Sequence, residues 1–210
     1  MKVELIDSAG GDLSVVNSAR VSFNKEVDEI ESNDARLISY LAKHRHDTPF
    51  RHNFIQLRCE VPLFLARQLM KHQAGLTWNE ESRRYIDYLP DFYLPEGWRK
   101  RPEGSVKQGS GSRHHFSPRI SREYEMHIKK CTEFYEDLLD EGVAPEMARM
   151  VLPQSMMVNF IWSGNLLAFY HVYNLRSGEG AQEEAKQFAE LLKQAIQPAF
   201  PVSWEALEER

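Results

Sequence analysis

The chain has 210 residues, 42% of them apolar, enough for one hydrophobic core and most simply read as a single domain. Its formal net charge of −5, with acids and bases interspersed, excludes a whole-surface attraction to nucleic acid or an anionic membrane, so any anion site must be local. No apolar run approaches the roughly 20 residues of a membrane span, the start MKVELIDSAGG lacks a signal-peptide apolar region, and only Cys59 and Cys131 occur, so a cytoplasmic, reducing setting without a disulfide framework is expected.

In chain order, KVELIDSAG reads as a strand entering a Gly-Gly turn, and Ala35 to His46 has the apolar spacing of an amphipathic helix. NFIQLRCEV alternates apolar and polar residues as a half-covered strand does. Pro62 then suits the first turn of a helix running through LFLARQLMKHQ to a stop near Gly75, which would set Gln68, Lys71 and His72 on one face at i, i+3 and i+4. Residues 90–118 contain Pro90, Pro95, Pro102 and Pro118 around the Gly/Ser-rich GSVKQGSGSR, the chemistry of a mobile loop, lid or binding loop. A long helix over SREYEMHIKKCTEFYEDLLDEG ends at Gly142, and a short one over APEMARMVLP ends at Pro153. SMMVNFIWSG suits a buried strand, while NLLAFYHVYNLR and AQEEAKQFAELLKQAIQ suit two further helices. The expected fold is α+β, a helix-rich single domain with a small antiparallel sheet.

Three polar constellations stand out. KHRHDTPFRH places His44, His46 and His52 close together, yet without the carboxylate–histidine spacing of a zinc helix, so no metal site is expected; surface histidines and contacts to an organic ligand both remain open. In NEESRRY an extended segment would turn Glu80, Ser82 and Arg84 to one side, where hydroxyl and guanidinium suit a phosphate; a solvated, salt-bridged loop is the alternative, and flanking Trp78 and Tyr85 favour a pocket. If Asn165 to Arg176 is one helix, its two ends lie nearly three turns apart and share a stripe, although a terminal arginine can also simply satisfy carbonyls.

Taken in this order, the sets resemble the flavin-dependent thymidylate synthases. The family's Arg-His-Arg triplet, spacer and Asn-Glu-x-Ser-x-Arg are matched in the second half by Asn79, Glu80, Ser82 and Arg84. The first half here reads Lys71-His72-Gln73, and the spacer is one residue longer. ARVSFNK, HDTPFRH, LARQ, ARMVLP around Arg149, and NLRSGEGAQ extend the resemblance from Ala19 to Gln182. It implies an α+β fold assembling as a homotetramer, with FAD and dUMP held where subunits meet. It also implies reductive methylation of dUMP to dTMP, with methylene-tetrahydrofolate as carbon donor and NADPH as reductant.

By the same resemblance, His46, Thr48, Lys71, His72, Gln73, Asn165 and His171 would contact the flavin. Gln68, Glu80, Ser82, Arg84, Arg149 and Arg176 would hold dUMP, with Arg176, Ser82 and Arg84 closest to the chemistry. Arg51 stands where the family commonly has an acid, and His171 where it often has asparagine. Neither cysteine sits in a nucleophile motif, so a mechanism without a covalent cysteine is expected. Two other readings are a related flavin- or folate-linked pyrimidine methylation, suggested by the altered triplet, and a non-catalytic nucleic-acid-binding module, against which the net negative charge weighs.

Overall fold

A computed structural model of the chain describes residues 1–86, 88–104 and 109–210. Strands β1 (Lys2–Ala9), β2 (Phe54–Pro62), β3 (Leu76–Glu80) and β4 (Met157–Gly164) form a sheet in the order β1-β2-β4-β3, each neighbouring pair antiparallel. Around it lie α1 (Asp12–Arg20), α2 (Ser32–Lys43), α3 (Leu63–Leu69), α4 (Ser117–Asp140), α5 (Pro145–Ala148), α6 (Leu166–Ser177), α7 (Glu183–Ile196) and α8 (Pro201–Glu208). The expected α+β class and small antiparallel sheet are both present.

Period-two alternation builds the sheet's inner face. Ile55, Leu57, Cys59 and Val61 of β2 are fully buried, and Leu57 stands opposite Trp162 of β4. Trp162 meets Phe169 of α6 edge-on at 5.4 Å and tilts against Phe188 of α7 at 6.3 Å, so these helices cover the sheet. On the far side of α6, Trp204 of α8 is buried against the rings of Tyr170 and Tyr173. The start of α8 is capped from α1: the Asp12 carboxylate accepts from the backbone N–H of Val202 and Ser203 at 2.9 and 2.8 Å.

Several boundaries differ from the sequence expectation. α2 begins at Ser32 and stops at Lys43, three residues short of His46. Its start is set by Asp34, which accepts from the N–H of Glu31 at 3.1 Å and pairs with Arg20 of α1; its end is set by Arg45, whose φ of 56° turns the chain away. α3 ends at Leu69 rather than near Gly75. The chain must reverse there to bring β3 beside β4, and Gly75 (φ 75°) lies so close to Gly164 that a Cβ on the latter would meet the Gly75 carbonyl at 2.4 Å. Lys71 and His72 therefore sit in a turn, and the shared helical face expected for Gln68, Lys71 and His72 does not form. α4 starts a turn earlier than expected, with Pro118 in its first turn. The helices α1 and α8 carry no strong periodic signal and were not anticipated.

Within 90–118, residues 105–108 lie outside the described residues. The rest folds back on the body: Phe92 bridges to Met156 and Arg99 to Arg113, and the Trp98 N–H donates to Ser117 Oγ at 2.9 Å.

Candidate active site

Arg176 occupies the last turn of α6, where its guanidinium reaches across to the end of α3. Its Nε donates to Nε2 of His72 at 3.1 Å and its Nη2 to the backbone carbonyl of Gln68 at 3.1 Å. Burial lowers the arginine's affinity for its proton, and burial, then Arg176 and His171, pushes the His72 pKa down. An arginine can only donate, so His72 accepts at Nε2 and carries its proton at Nδ1.

The polar chain continues inward. Gln68 Nε2 donates to Gln182 Oε1 at 2.6 Å, and Gln182 Nε2 to Glu184 Oε2 at 2.9 Å. Glu184, only 3% exposed in the first turn of α7, also receives Arg99 Nη2 at 2.7 and 2.8 Å and the Tyr93 hydroxyl at 3.4 Å. Gln68, Arg99, Arg176 and Gln182 line a cleft of about 730 Å³.

A second cleft, about 430 Å³, is lined by Glu80, Ser82, Arg84 and Arg149 with Met156 and Val158. The expected extended NEESRRY is only partly formed: β3 ends at Glu80, and Ser82 to Tyr85 make a turn in which the Tyr85 N–H donates to the Ser82 carbonyl at 3.0 Å. Glu80, Ser82 and Arg84 are gathered by that turn rather than by strand alternation. Arg84 Nε donates to Ser82 Oγ at 3.3 Å, and Arg149 is anchored by donating from Nε to the Glu146 carbonyl at 3.1 Å. Burial raises the Glu80 carboxyl pKa, opposed by a hydrogen bond from Trp78 Nε1 at 3.2 Å and reinforced by Glu81. Two arginines and a hydroxyl converging here can grip a phosphate. The two clefts share no lining residue, so the set expected to hold dUMP is divided on one chain, Gln68 and Arg176 in the first cleft and Glu80, Ser82, Arg84 and Arg149 in the second.

The remaining residues form a mostly exposed face. His46 and Thr48 follow α2, Lys71 and Gln73 lie in the turn after α3, and His171 stands on α6. Arg210 ties two of these segments together, donating from Nη1 to Asp47 at 2.7 Å and from Nη2 to His171 Nε2 at 3.1 Å, with its guanidinium 5.1 Å over the Tyr170 ring. Burial and then Arg210 push the His171 pKa down, so this imidazole too is neutral and accepting at Nε2. Asn165 stands one residue before α6. It is the N-cap of α6, its Oδ1 accepting from the Ala168 N–H at 3.0 Å, with its amide nitrogen against Gly75. Imidazoles, a hydroxyl, amides and an ammonium on one open face are a donor set that fits a heterocycle bearing carbonyls and a diphosphate, as FAD does. Among the described residues no cluster of three or more His, Cys, Asp or Glu could hold a metal ion.

Gln182, Glu184 and Arg99 were not singled out from the sequence, although Gln182 closes the NLRSGEGAQ segment and so lay within reach. The structure gives both cysteines ordinary surroundings. Cys59 is fully buried, which pushes its thiol pKa up, and half-buried Cys131 lies 3.6 Å from His127 Nε2 on α4, outside both clefts.

The family described as thymidylate synthase complementing protein matches residues 4–202. The flavin-dependent thymidylate synthase of Thermus thermophilus is 34% identical over 211 residues, covering 99% of this chain and 75% of the relative. That of Thermosipho africanus is 35% identical over 205 residues, covering 97% and 89%. Among solved structures, the UMP/dUMP methylase PolB from Streptomyces cacaoi, bound with 5-Br dUMP, superposes with a TM-score of 0.89 at 32% identity, covering 99% of this chain and 94% of that one. The same enzyme bound with 5-Br UMP gives 0.88 at 31%. The fold and clefts thus define a nucleotide-modifying α+β enzyme. The chain belongs to the thymidylate synthase complementing protein family, with flavin-dependent thymidylate synthases among its relatives.

Proposed function

We propose that this chain is a flavin-dependent thymidylate synthase that converts dUMP to dTMP, with FAD as cofactor, methylene-tetrahydrofolate as carbon donor and NADPH as reductant. The observation that carries the reading is the junction of Arg176, neutral His72 and Gln68 in a cleft at the end of α6, on a chain whose other cleft is lined by Ser82, Arg84 and Arg149. When bound, FAD supplies the hydride chemistry. The protein binds and orients: Ser82, Arg84 and Arg149 grip the nucleotide phosphate, while Gln68, Glu80 and Arg176 address sugar and base. Arg176 stabilises negative charge developing on a uracil carbonyl. His46, Thr48, Lys71, His72, Gln73, Asn165 and His171 hold the flavin. No thiolate is required of either cysteine, in keeping with the buried, raised Cys59.

The same reading makes 1–210 one catalytic domain with 90–118 as its loop, working in the cytoplasm as a homotetramer. The division of the nucleotide residues between two clefts supports an assembly in which one subunit's cleft is completed by another's. Two free cysteines suit a reducing compartment, and among the described residues no helix is long and apolar enough to cross a membrane. Lys71-His72-Gln73, together with the likeness to a methylase crystallised with both UMP and dUMP analogues, favours one second reading: a family member acting on UMP. Incubating the flavin-loaded protein with folate donor, NADPH and either dUMP or UMP separates the two. Formation of dTMP from dUMP, with little turnover of UMP, is the expected result; a colourless protein that takes up no FAD and methylates neither nucleotide would overturn both.

A further inference from the structure

Glu184 is a buried carboxylate that the proposed reaction does not use. A carboxylate accepts hydrogen bonds and cannot donate them, so Gln182 must turn its amide nitrogen toward Glu184, as the 2.9 Å contact records. Its oxygen is then left to face Gln68, whose own amide nitrogen must meet it, at 2.6 Å. Each amide is thereby set in one of its two orientations by the group behind it. Gln68 lines the cleft beside Arg176, and its Oε1 accepts from no group among the described residues. Burial pushes the Glu184 carboxyl up, but hydrogen bonds from Arg99, its own backbone and Gln182 outweigh this and hold its pKa below the ordinary range. The Tyr93 phenol beside it is pushed up to about 12 by burial and by Glu184, so it remains a donor. The carboxylate at the root of the relay therefore stays charged and acceptor-only at neutral pH.

We propose that Glu184 is a positioning residue that sets pyrimidine specificity: acting through Gln182, it fixes the Gln68 amide with its oxygen toward the cleft, where it accepts from the N3–H of a uracil ring and opposes the N3 lone pair of cytosine. The inference rests on the reading that this cleft takes a pyrimidine nucleotide. Arg99, which grips Glu184 from the 90–118 segment, ties that segment to the same relay.

The experiment measures the affinities of the FAD-loaded protein for dUMP and dCMP by calorimetry, in the unaltered chain and in Glu184→Gln. With a neutral amide at 184, which both donates and accepts, Gln182 and Gln68 lose their reason to prefer one orientation. Preference for dUMP over dCMP is expected to fall by roughly tenfold or more, with flavin content preserved. Gln182→Met is the second variant, cutting the relay with similar volume and no change of charge; it is expected to lower the same ratio, and it decides the matter if Glu184→Gln does not fold. A folded, flavin-loaded variant with an unchanged dUMP-to-dCMP ratio overturns the proposal, because a merely structural Glu184 would move thermal stability and leave the ratio alone. Failure of the unaltered chain to bind dUMP or UMP would instead overturn the reading on which the proposal rests.

Discussion

The Arg176 guanidinium donates to His72 across 3.1 Å, and this contact joins the C-terminal turn of α6 to the turn that follows α3. A cation here is held by a neutral ring and a backbone carbonyl rather than by a carboxylate, so its charge is not cancelled by these two partners. Arg176→Ala should therefore keep its FAD, lose dTMP formation by roughly 10²-fold or more, and still oxidise NADPH slowly. Near-normal dTMP synthesis by the folded variant would show that Arg176 only closes its helix.

The depressed pKa values of His72 and His171 carry a pH signature. Because the folded state binds these protons more weakly than the unfolded chain, their contribution is fully present above the ordinary histidine value and is lost as pH falls through it toward the folded value. Urea midpoints should decline as pH falls through and below the ordinary histidine value of about 6.5, and His72→Gln should shallow that decline. An unchanged slope in His72→Gln would assign the acid sensitivity elsewhere.

In the other cleft, Arg84 and Arg149 are lining residues together with Ser82. Arg84→Ala and Arg149→Ala should each weaken dUMP binding by roughly tenfold, leave deoxyuridine binding nearly unchanged, and reduce the salt dependence of nucleotide affinity. Equal losses for nucleotide and nucleoside would remove the phosphate from this cleft.

Cys59→Ala combined with Cys131→Ala should retain dTMP synthesis within about tenfold, any loss coming from the cavity opened at Cys59 in the sheet core. Complete inactivity of a folded, flavin-loaded double variant would revive a covalent thiol mechanism.

Gln73 is exposed in the turn after α3. Gln73→Arg, restoring the family's residue, should shift FAD or dUMP affinity while leaving the melting temperature of the ligand-free protein within a degree or two, since an exposed position contributes little to stability. A changed melting temperature with unchanged affinities would make the triplet structural.

What could be read in advance follows the range of the interactions involved. β2 and β4 were legible because burial on a sheet face writes itself as alternation or as an apolar run. The end of α3 was misplaced because Gly75, a genuine stop signal, serves the entry to β3 rather than the helix. Ser82 and Arg84 are brought together by a turn closed by the Tyr85 N–H on the Ser82 carbonyl, which strand alternation does not foresee. Asn165 also caps α6, a role that its position one residue before an apolar helix announces. The relay from Arg99 to Gln68 was illegible for a plainer reason: its members come from the segment after β3, the first turn of α7 and α3, and nothing local in the chain relates them.

The order β1-β2-β4-β3 makes β3 an edge strand whose sole strand neighbour among the described residues is β4, and α4 and α5 are synthesised between the two. During translation β3 emerges early, carrying Trp78, and must wait for Phe160 and Trp162 before its ring has anything to stack on. Until then the strand is an unpaired edge next to an exposed aromatic, the kind of surface that a holdase chaperone captures and that self-associates when none is present. Recovery of soluble protein should thus depend on how quickly the ribosome reaches β4, and a pause placed within α4 is where losses to aggregation should concentrate.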